Sequence, residues 1–557
     1  MGQEQDMTPP TDPFDQLCDI LIIGSGGGLA GALAAHDAKQ DVLVIEKSAV
    51  TGGATALSGG TLWVFANSVS RAAGLADTVE LGLKHLTAIV PPGYPSASPA
   101  RLAAYVRASG PLVDLLQRHG VALQHSGWTD YYAEAPGGFV EGRTLHAAPF
   151  NAGELGDAQS WLRPTRMFLA ANSVEVAVLA LGARSLRTAL VSARVVCRDL
   201  WARVRRVKLL TRGQALMGRI LRGVVQAGVP IWRETRLVEL IVENGAVIGA
   251  VVERGGARLR IGARKGVLLT AGGFAQNAAM RAAYQAPVST DVSMSSPDDT
   301  GEGIEIGKAV GGATALMEES WWVPGTKTPS GPMLHVWDRC FPHSLIVDVR
   351  GQRYLNEAGP YMEVGQAMIK RHAALNTNHS WIILESRHRN HYAFGLAPPR
   401  LTPGDWFKSG YLKKGDTLEE LAAEIEVDPL ALRATVEHFN TMVAGGRDSD
   451  FARGETAYSR FYSDERVKPN GNLGAISNGP FYAAKIYPGD VGTAGGLLTD
   501  EFGCVLRDDG QVIEGLYAAG NSSASVFGPM YPGAGASIAA SMIFAMLAVE
   551  HMAGKRA

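Results

Sequence analysis

The chain has 557 residues, a formal net charge of −2 and four cysteines. That length calls for two or more domains with room to enclose a large ligand, and the near-neutral balance gives no electrostatic reason for a nucleic-acid partner. Cys18, Cys197, Cys340 and Cys504 lie far apart without C-x-x-C spacing, which argues against zinc, iron–sulfur and disulfide frameworks and fits a reducing, cytoplasmic compartment.

Residues 1–16 are polar, acidic and Pro-rich, without the basic and apolar regions of a secretory signal, and are expected to form a disordered lead-in. Residues 19–23 read as a strand, 24–28 as a glycine turn, 29–38 as an Ala-rich helix and 41–46 as a second strand, a βαβ opening. In Gly24-Ser25-Gly26-Gly27-Gly28-Leu29 the first two glycines allow a tight turn and close approach of a pyrophosphate to the helix start. Glu46, ending the next strand, can bind ribose hydroxyls. The third fingerprint position holds Leu29, which implies a looser strand–helix contact, relieved by Gly31. Lys47 then leads into Gly52-Gly53-Ala54-Thr55 and Ser58-Gly59-Gly60, small residues against which a flat ring system can lie.

Between residues 163 and 212 there are eleven Lys or Arg against only Glu175 and Asp199. Leu186, Leu190, Ala193, Cys197, Leu200, Val204 and Val207 recur at helical spacing, with Arg187, Arg194, Arg198 and Arg205 on another face, so one basic amphipathic helix is expected. Two readings stay open: a helix packed on the protein with solvated arginines, or a peripheral contact with an anionic membrane surface.

Residues 237–242 and 247–253 read as strands joined to a third near 266–272, a sheet that returns to the nucleotide site and offers Val238, Ala271 and Gly272 to it. From about 290 to 490 the composition shifts, with Trp321, Trp322, Trp337, Trp381 and Trp406 among Pro and Gly and a helix at 418–425. This is expected to be an inserted substrate domain, with residues 17–289 and 491–557 forming the nucleotide domain. No uninterrupted apolar run reaches the ~20 residues of a spanning helix.

Near the end, residues 515–521 bring another strand to the nucleotide, with Gly520 and Asn521 at its tip. Tyr531-Pro532-Gly533-Ala534-Gly535 follows, and then an apolar helix that begins with Ala536 and Ile538. A phenol beside a helix N-terminus gives two donors able to grip one carbonyl oxygen. A nucleotide site split between the two ends of a chain, around an inserted domain, is the pattern of FAD enzymes. No His follows Ser58-Gly59-Gly60, so FAD is expected to bind noncovalently. No second nicotinamide fingerprint follows, so the electrons are expected to leave to an external acceptor such as a quinone or dye. His335, His343 and His379 lack metal-ligand spacing, and no metal is expected.

On these residues the chain resembles the 3-ketosteroid dehydrogenase branch of the fumarate reductase-like flavoproteins, most closely the 3-ketosteroid Δ1-dehydrogenases. The markers are residues 24–28 with 52–60, Asp130-Tyr131-Tyr132, Asn356-Glu357 with Pro360-Tyr361, Gly492-Thr493 with Gly495-Gly496, and residues 531–535. The resemblance covers nearly the whole chain. It implies an α/β fold with a Rossmann-like FAD-binding domain of the glutathione reductase type and an inserted α+β catalytic domain. It also implies 1,2-desaturation of 3-ketosteroids: hydride leaves C1 for the flavin, Tyr361 takes the C2 proton with Tyr131 beside it, and Tyr531 and the Gly535 N–H hold the C3 oxygen. Where relatives often carry Gly-Tyr three residues before Tyr131, this chain has Gly127-Trp128, which removes a third phenol from that place.

The chemistry stands without the family. A C–H beside a ketone becomes acidic when donors in a dry site stabilise the enolate oxygen, each worth on the order of 10² to 10³ in rate. A Tyr base, with an ordinary pKa near ~10, costs about 4 kcal/mol to ionise at neutral pH, so an alkaline optimum is expected. A rigid polycyclic substrate needs apolar walls, for which Trp63, Phe65, Phe527, Met530 and Tyr487 are candidates, while Tyr132 reads as packing. The rival readings are a 3-ketosteroid Δ4-dehydrogenase and a non-catalytic, flavin-bearing protein of the membrane surface. The set of tyrosines favours Δ1 chemistry.

Overall fold

The computed structural model describes residues 14–165, 170–182, 184–288 and 290–556. Most of the expected lead-in lies outside the described residues, but its last three positions are built into the fold: the Asp15 N–H donates to Arg260 O at 2.8 Å. The first strand, β1 (Gln16–Ile23), continues through a glycine turn into α1 (Gly28–Asp37) and β2 (Val42–Ile45). β1 and β2 pair in parallel from Ile20↔Val42 to Ile23↔Ile45, and both are apolar because the sheet is covered on two faces. Leu29 is fully buried and loosens nothing. Gly28 makes the close strand–helix contact instead: a Cβ there would sit 2.4 Å from Thr270 Oγ1 and 2.8 Å from Ile22. Gly31 serves a different neighbour as well, since its Cβ would meet Ala545 O at 3.3 Å.

The basic segment forms two helices, α2 (Ser173–Leu179) and α3 (Leu186–Val204), where one was expected. Ser185 caps α3 by accepting from Thr188 N at 3.2 Å. Arg206 takes a φ of 53° after its end, which leaves Val207 outside the helix. The stripe read from periodicity faces outward: Leu186, Leu190, Leu200 and Val204 are 77, 61, 55 and 82% exposed. Thr188, Val195 and Ala202 supply the inward contacts. Arg198 also turns inward, its Nε donating to Ala170 O at 2.7 Å and its Nη1 to Glu175 at 3.2 Å. Packing on the protein through the apolar stripe is therefore not what holds α3.

Next come β3 (Thr235–Glu243), β4 (Ala246–Arg254) and β5 (Ala257–Leu269). Asn244 and Gly245, with φ of 52° and 85°, join β3 to β4, as a two-residue hairpin turn requires. The second half of the chain adds β6 (Ser320–Thr328), β7 (Ser344–Val347), α4 (Tyr361–Leu375), β8 (Ser380–Glu385), α5 (Ala457–Phe461), β9 (Phe481–Thr493), β10 (Val512–Ala518) and α6 (Ala536–Met552).

Two sheets organise these elements. The eight-stranded sheet runs Cys504–Leu506, β10, β5, β1, β2, Ile231–Trp232, with β4 and β3 branching from β5. β10 pairs in parallel with β5, Val267↔Leu516 to Leu269↔Ala518, so the last segments of the chain close the sheet that the first ones open. The six-stranded sheet runs Gly331–Leu334, β6, β9, β8, β7, with Leu412–Gly415 also on β9. α6 is apolar all round because it lies inside the core against α1, with Met542 to Val549 almost wholly buried. Among the described residues no helix is long and apolar enough to cross a membrane.

Candidate active site

Three segments remote in sequence bring phenols together. Tyr361 is the first residue of α4, directly after Pro360. The loop before it is anchored by buried Glu357, which accepts from Ile346 N at 3.1 Å, Arg353 Nε at 2.9 Å and Arg453 Nη1 at 3.2 Å. Tyr131 is fixed by its N–H to Pro532 O at 3.2 Å, and by the buried Asp130 before it, which accepts from Trp63 Nε1 at 2.8 Å and Arg143 N at 3.0 Å. Tyr531 precedes α6, whose N-terminal cap is Gly535.

The ring centres of Tyr361 and Tyr531 are 5.2 Å apart, those of Tyr131 and Tyr361 5.5 Å, and those of Tyr131 and Tyr531 5.9 Å. The Gly535 N–H points at the Tyr531 oxygen, 3.3 Å away. Two donors therefore converge at one helix start, within a ring's width of a third and a fourth polar group. Gly535 has φ of 94°, and a Cβ there would fall 2.3 Å from Thr61 O, so no other residue fits. Burial pushes the Tyr361 phenol well above the ordinary 10, and the Tyr131 and Tyr531 phenols add to the rise. Burial raises Tyr131 likewise, opposed by a hydrogen bond from Tyr361 and by the Arg339 charge.

Several wall residues differ from expectation. Trp63, Phe65 and Phe527 are fully buried and pack on one another, with centroids 4.7 Å apart for Trp63–Phe65 and 6.0 Å for Trp63–Phe527. They form the floor under residues 531–535, where a Cβ on Gly533 would be 2.4 Å from the Trp63 ring. Trp321 is the tryptophan that reaches the phenols, 5.3 Å from Tyr531, with its Nε1 donating to Asn521 Oδ1 at 3.1 Å. Tyr487 lines a separate cavity of about 50 Å³ with Val288, Ile369 and His372. Tyr132 donates to Glu363 at 2.6 Å. His335 is held between Asp338 and Thr326, as a structural residue would be. Among the described residues no cluster of His, Cys, Asp and Glu could hold a metal ion.

Sequence reading missed two phenols. Tyr458 and Tyr462 come from and just after α5, spaced i, i+4, and the Tyr458 ring lies 4.5 Å from Tyr131. The Trp128 indole donates to the Tyr462 hydroxyl. The i, i+4 spacing was visible in the sequence, but nothing local tied it to Tyr131.

The nucleotide side has the openings FAD needs. A Cβ on Gly26 would meet nothing nearer than Thr55 Oγ1 at 4.0 Å, so the turn presents open backbone there. Its neighbours are tight: Gly27 and Gly520 both abut Ser541 of α6, which joins the first and last glycine segments at one place. Gly53, Ala54 and Thr55 begin a short helix (Gly53–Leu57) opposite Gly26, and Ser58 caps Gly60 N at 3.0 Å. Gly59 is held by Ser173 of α2, whose Oγ donates to its carbonyl at 2.7 Å. Glu46 is buried, and accepts from Ser25 N at 3.1 Å, Ser25 Oγ at 2.5 Å and Ser48 N at 3.0 Å. These bonds leave acceptor capacity for ribose hydroxyls. Lys47 reaches Thr300 at 2.6 Å and Glu302 at 3.2 Å. Val238 lies half-buried on β3, and Ala271 and Gly272 follow β5. Beside Gly272 the buried Asp299 Oδ2 has no partner among the described residues, an acceptor that a bound hydroxyl or amide would satisfy. Burial pushes that carboxyl up to about 7, against the charges of Lys47 and Arg163. Ala536 and the half-buried Ile538 start α6 directly after Gly535.

Residues 19–538 match the FAD binding domain family. The 3-oxosteroid 1-dehydrogenase of Mycobacterium tuberculosis is 38% identical over 97% of this chain and 99% of its own. The 4-oxocyclohex-2-ene-1-carboxylate 5-dehydrogenase of Sinomonas cyclohexanicum is 34% identical over 95% of this chain and 92% of its own. Among solved structures, the 3-ketosteroid Δ1-dehydrogenase of Sterolibacterium denitrificans, in complex with 1,4-androstadiene-3,17-dione, superposes with a TM-score of 0.91 at 34% identity, covering 97% of this chain and 100% of that one. The fold and its split glycine site are thus those of a flavoprotein, and the chain belongs to the FAD-dependent 3-ketosteroid Δ1-dehydrogenases.

Proposed function

We propose that this protein desaturates the C1–C2 bond of 3-ketosteroids, using Tyr361 as the base and Tyr531 with the Gly535 N–H as the clamp on the C3 oxygen. The carrying observation is the convergence of Tyr361, from one sheet's domain, with Tyr531 and Gly535, from the other's, at ring distances of 5.2 to 5.9 Å among the three tyrosines. When bound, FAD supplies the acceptor for the hydride that leaves C1. The Tyr531 hydroxyl and Gly535 N–H polarise the ketone, which acidifies the C2–H bond, and the Tyr361 oxygen receives that proton. Tyr131 shares the negative charge of the Tyr361 phenolate. FAD is held noncovalently by the glycine turns, and electrons pass on to an external quinone-like acceptor. Residues 290–490 supply the base and residues 491–557 the clamp, so the substrate lies between the two bodies.

Monocyclic oxo-acids, which the name of the Sinomonas relative indicates for that protein, would need a cation for their carboxylate. The phenol cluster is instead bordered by Trp321 and further tyrosines, and the nearest cation, Arg339, is turned into the carbonyls of His335 and Gly359, which favours the steroid. Anaerobic reduction by androst-4-ene-3,17-dione but not by 4-oxocyclohexanecarboxylate tests this choice, and the reverse preference would overturn it.

Because burial raises the Tyr361 phenol and the phenolate is the reactive form, the rate of flavin reduction is expected to climb with pH, roughly tenfold per unit below the apparent pKa. Stopped-flow reduction between acid and alkaline pH reads this directly. A flat profile contradicts a tyrosine base.

The outward stripe of α3 is the membrane contact. Leu186, Leu190, Leu200 and Val204 would enter the interface, while exposed Arg187, Arg194, Arg203 and Arg205 meet anionic headgroups. A steroid dissolved in the bilayer would be collected there. The protein is expected to co-sediment with phosphatidylglycerol vesicles and not with phosphatidylcholine ones, and L190E/V204E is expected to abolish binding without loss of turnover on dispersed substrate. Equal recovery of both forms with the anionic vesicles would remove the idea.

A further inference from the structure

Arg339 is a buried cation without a carboxylate counter-ion among the described residues. Its side chain is fully buried, and its N–H groups donate to carbonyl oxygens: His335 O at 2.9 Å, Glu357 O, and Gly359 O at 2.9 Å. The guanidinium also faces the Tyr458 hydroxyl. The carboxylates in reach are committed elsewhere. Asp338 accepts from His335 Nδ1 at 2.7 Å and Gly395 N at 2.6 Å, and Glu357 is taken by Arg353 and Arg453. Among the described residues no ion pair to Arg339 forms, and a buried charge left so is costly unless a negative group appears beside it.

The groups that face this guanidinium are the Cys340 thiol, the Tyr458 phenol, the His335-bound Asp338 carboxylate and the Tyr462 phenol, with Tyr131 next beyond. Tyr458 is fully buried and its hydroxyl faces the Arg339 guanidinium. Its ring packs 4.5 Å from Tyr131, which packs 5.5 Å from Tyr361. Of the remaining charged neighbours, Arg453 is bound to Glu357 and to the carbonyls of Ser344 and Phe341, and Glu363 accepts from Tyr132. Two of the three carbonyls Arg339 grips, those of Glu357 and Gly359, belong to the loop that ends in Pro360 and Tyr361.

We propose that Arg339 is a positioning residue for proton abstraction, fixing the loop that aims Tyr361 and acting as the buried counter-charge for a phenolate shared by Tyr361, Tyr131 and Tyr458. In that state one phenolic proton has been released to solvent. On turnover the C2–H bond breaks, its proton joins the phenolate oxygen, and the electron pair passes into the enolate whose C3 oxygen Tyr531 and Gly535 hold. The proposal rests on Tyr361 being the base.

The test compares Arg339→Gln, which removes the charge, with Arg339→Lys, which keeps the charge but loses the fork to the two carbonyls. Both holoenzymes are followed by the pH profile of anaerobic flavin reduction with androst-4-ene-3,17-dione and, without substrate, by tyrosinate absorbance. R339Q is expected to raise the apparent pKa by about one to three units and to regain rate at high pH. R339K is expected to keep the pKa close to the parent value and to lose rate at every pH. An unchanged pKa in R339Q overturns the proposal, whatever the loss of rate. Should R339Q not fold, Tyr458→Phe, which removes the phenol meeting both the guanidinium and Tyr131, is expected to raise the same pKa, and no shift there overturns it equally. If the parent enzyme is not reduced by the steroid, the assignment of Tyr361 fails, whereas the substrate-free titration still decides the role of Arg339.

Discussion

Replacing Tyr361 by Phe is expected to lower the rate of steroid-dependent flavin reduction by about 10³-fold or more, on the order of 4 kcal/mol of transition-state stabilisation. The ring would stay, since Tyr361 is packed against Tyr131 and Tyr531 on two sides and Phe keeps the same shape, so stability and FAD content should change little. What goes is the phenolic oxygen that stands beside Tyr131 and Tyr531, whereas the other acceptor on α4's first turn, Glu363, is engaged by the Tyr132 hydroxyl. Because the loss is confined to the chemical step, kcat should fall while steroid binding, read by flavin spectral perturbation, survives. Tyr131→Phe should be milder, about tenfold to a hundredfold, because Tyr131 stabilises the base rather than replacing it. Equal turnover by Y361F and the parent would move the base elsewhere.

Gly535→Ala is expected to be comparably severe for a different reason. The residue adopts φ of 94°, and a Cβ there would overlap the Thr61 carbonyl at 2.3 Å. The backbone must move, and the N–H that faces the Tyr531 oxygen at 3.3 Å moves with it. A misplaced oxyanion donor costs on the order of 10² to 10³ in rate, and the strain of a left-handed alanine adds about 1 to 2 kcal/mol of instability. Thermal unfolding and reduction kinetics on the FAD-loaded variant separate the two effects. Tyr531→Phe removes the other donor without touching the backbone, so it should reproduce the kinetic loss and spare stability. Should Y531F and G535A both retain parental kcat with a 3-ketosteroid, the clamp on the C3 oxygen is not where the account puts it.

The parts of this architecture that were legible in the sequence are the ones set by local chemistry. The run from β1 through α1 to β2 announces itself by an apolar strand, a glycine turn and an alanine-rich helix, and the β3–β4 hairpin by Asn244-Gly245 between alternating residues. Tyr531 beside a helix start was likewise readable, because five residues carry it. The meeting of Tyr361 with Tyr531 was not, since it depends on how the six-stranded sheet's domain sits on the eight-stranded one. Periodicity found the apolar stripe of α3 correctly but carried no sign. A stripe can face the protein or leave it, and here Val195 and Ala202 face in while Leu190 and Val204 face out. Trp63, Phe65 and Phe527 were readable as aromatic and apolar, but whether such rings line a slot or fill the layer beneath it depends on packing depth. Nothing local in the sequence marks Arg339, because its burial and its carbonyl partners come from segments that only the fold brings together.

The central claim is that this site removes hydrogen from C1 and C2 of a ring whose C3 ketone is held by Tyr531 and Gly535. Anaerobic mixing of the FAD-loaded protein with androst-4-ene-3,17-dione, followed by location of the new double bond by NMR or mass spectrometry, tests it most directly. The predicted result is bleaching of the flavin with formation of androsta-1,4-diene-3,17-dione. An unreduced flavin with every 3-ketosteroid tried, or reduction by a saturated 3-ketosteroid that places the new bond at C4–C5, would contradict it.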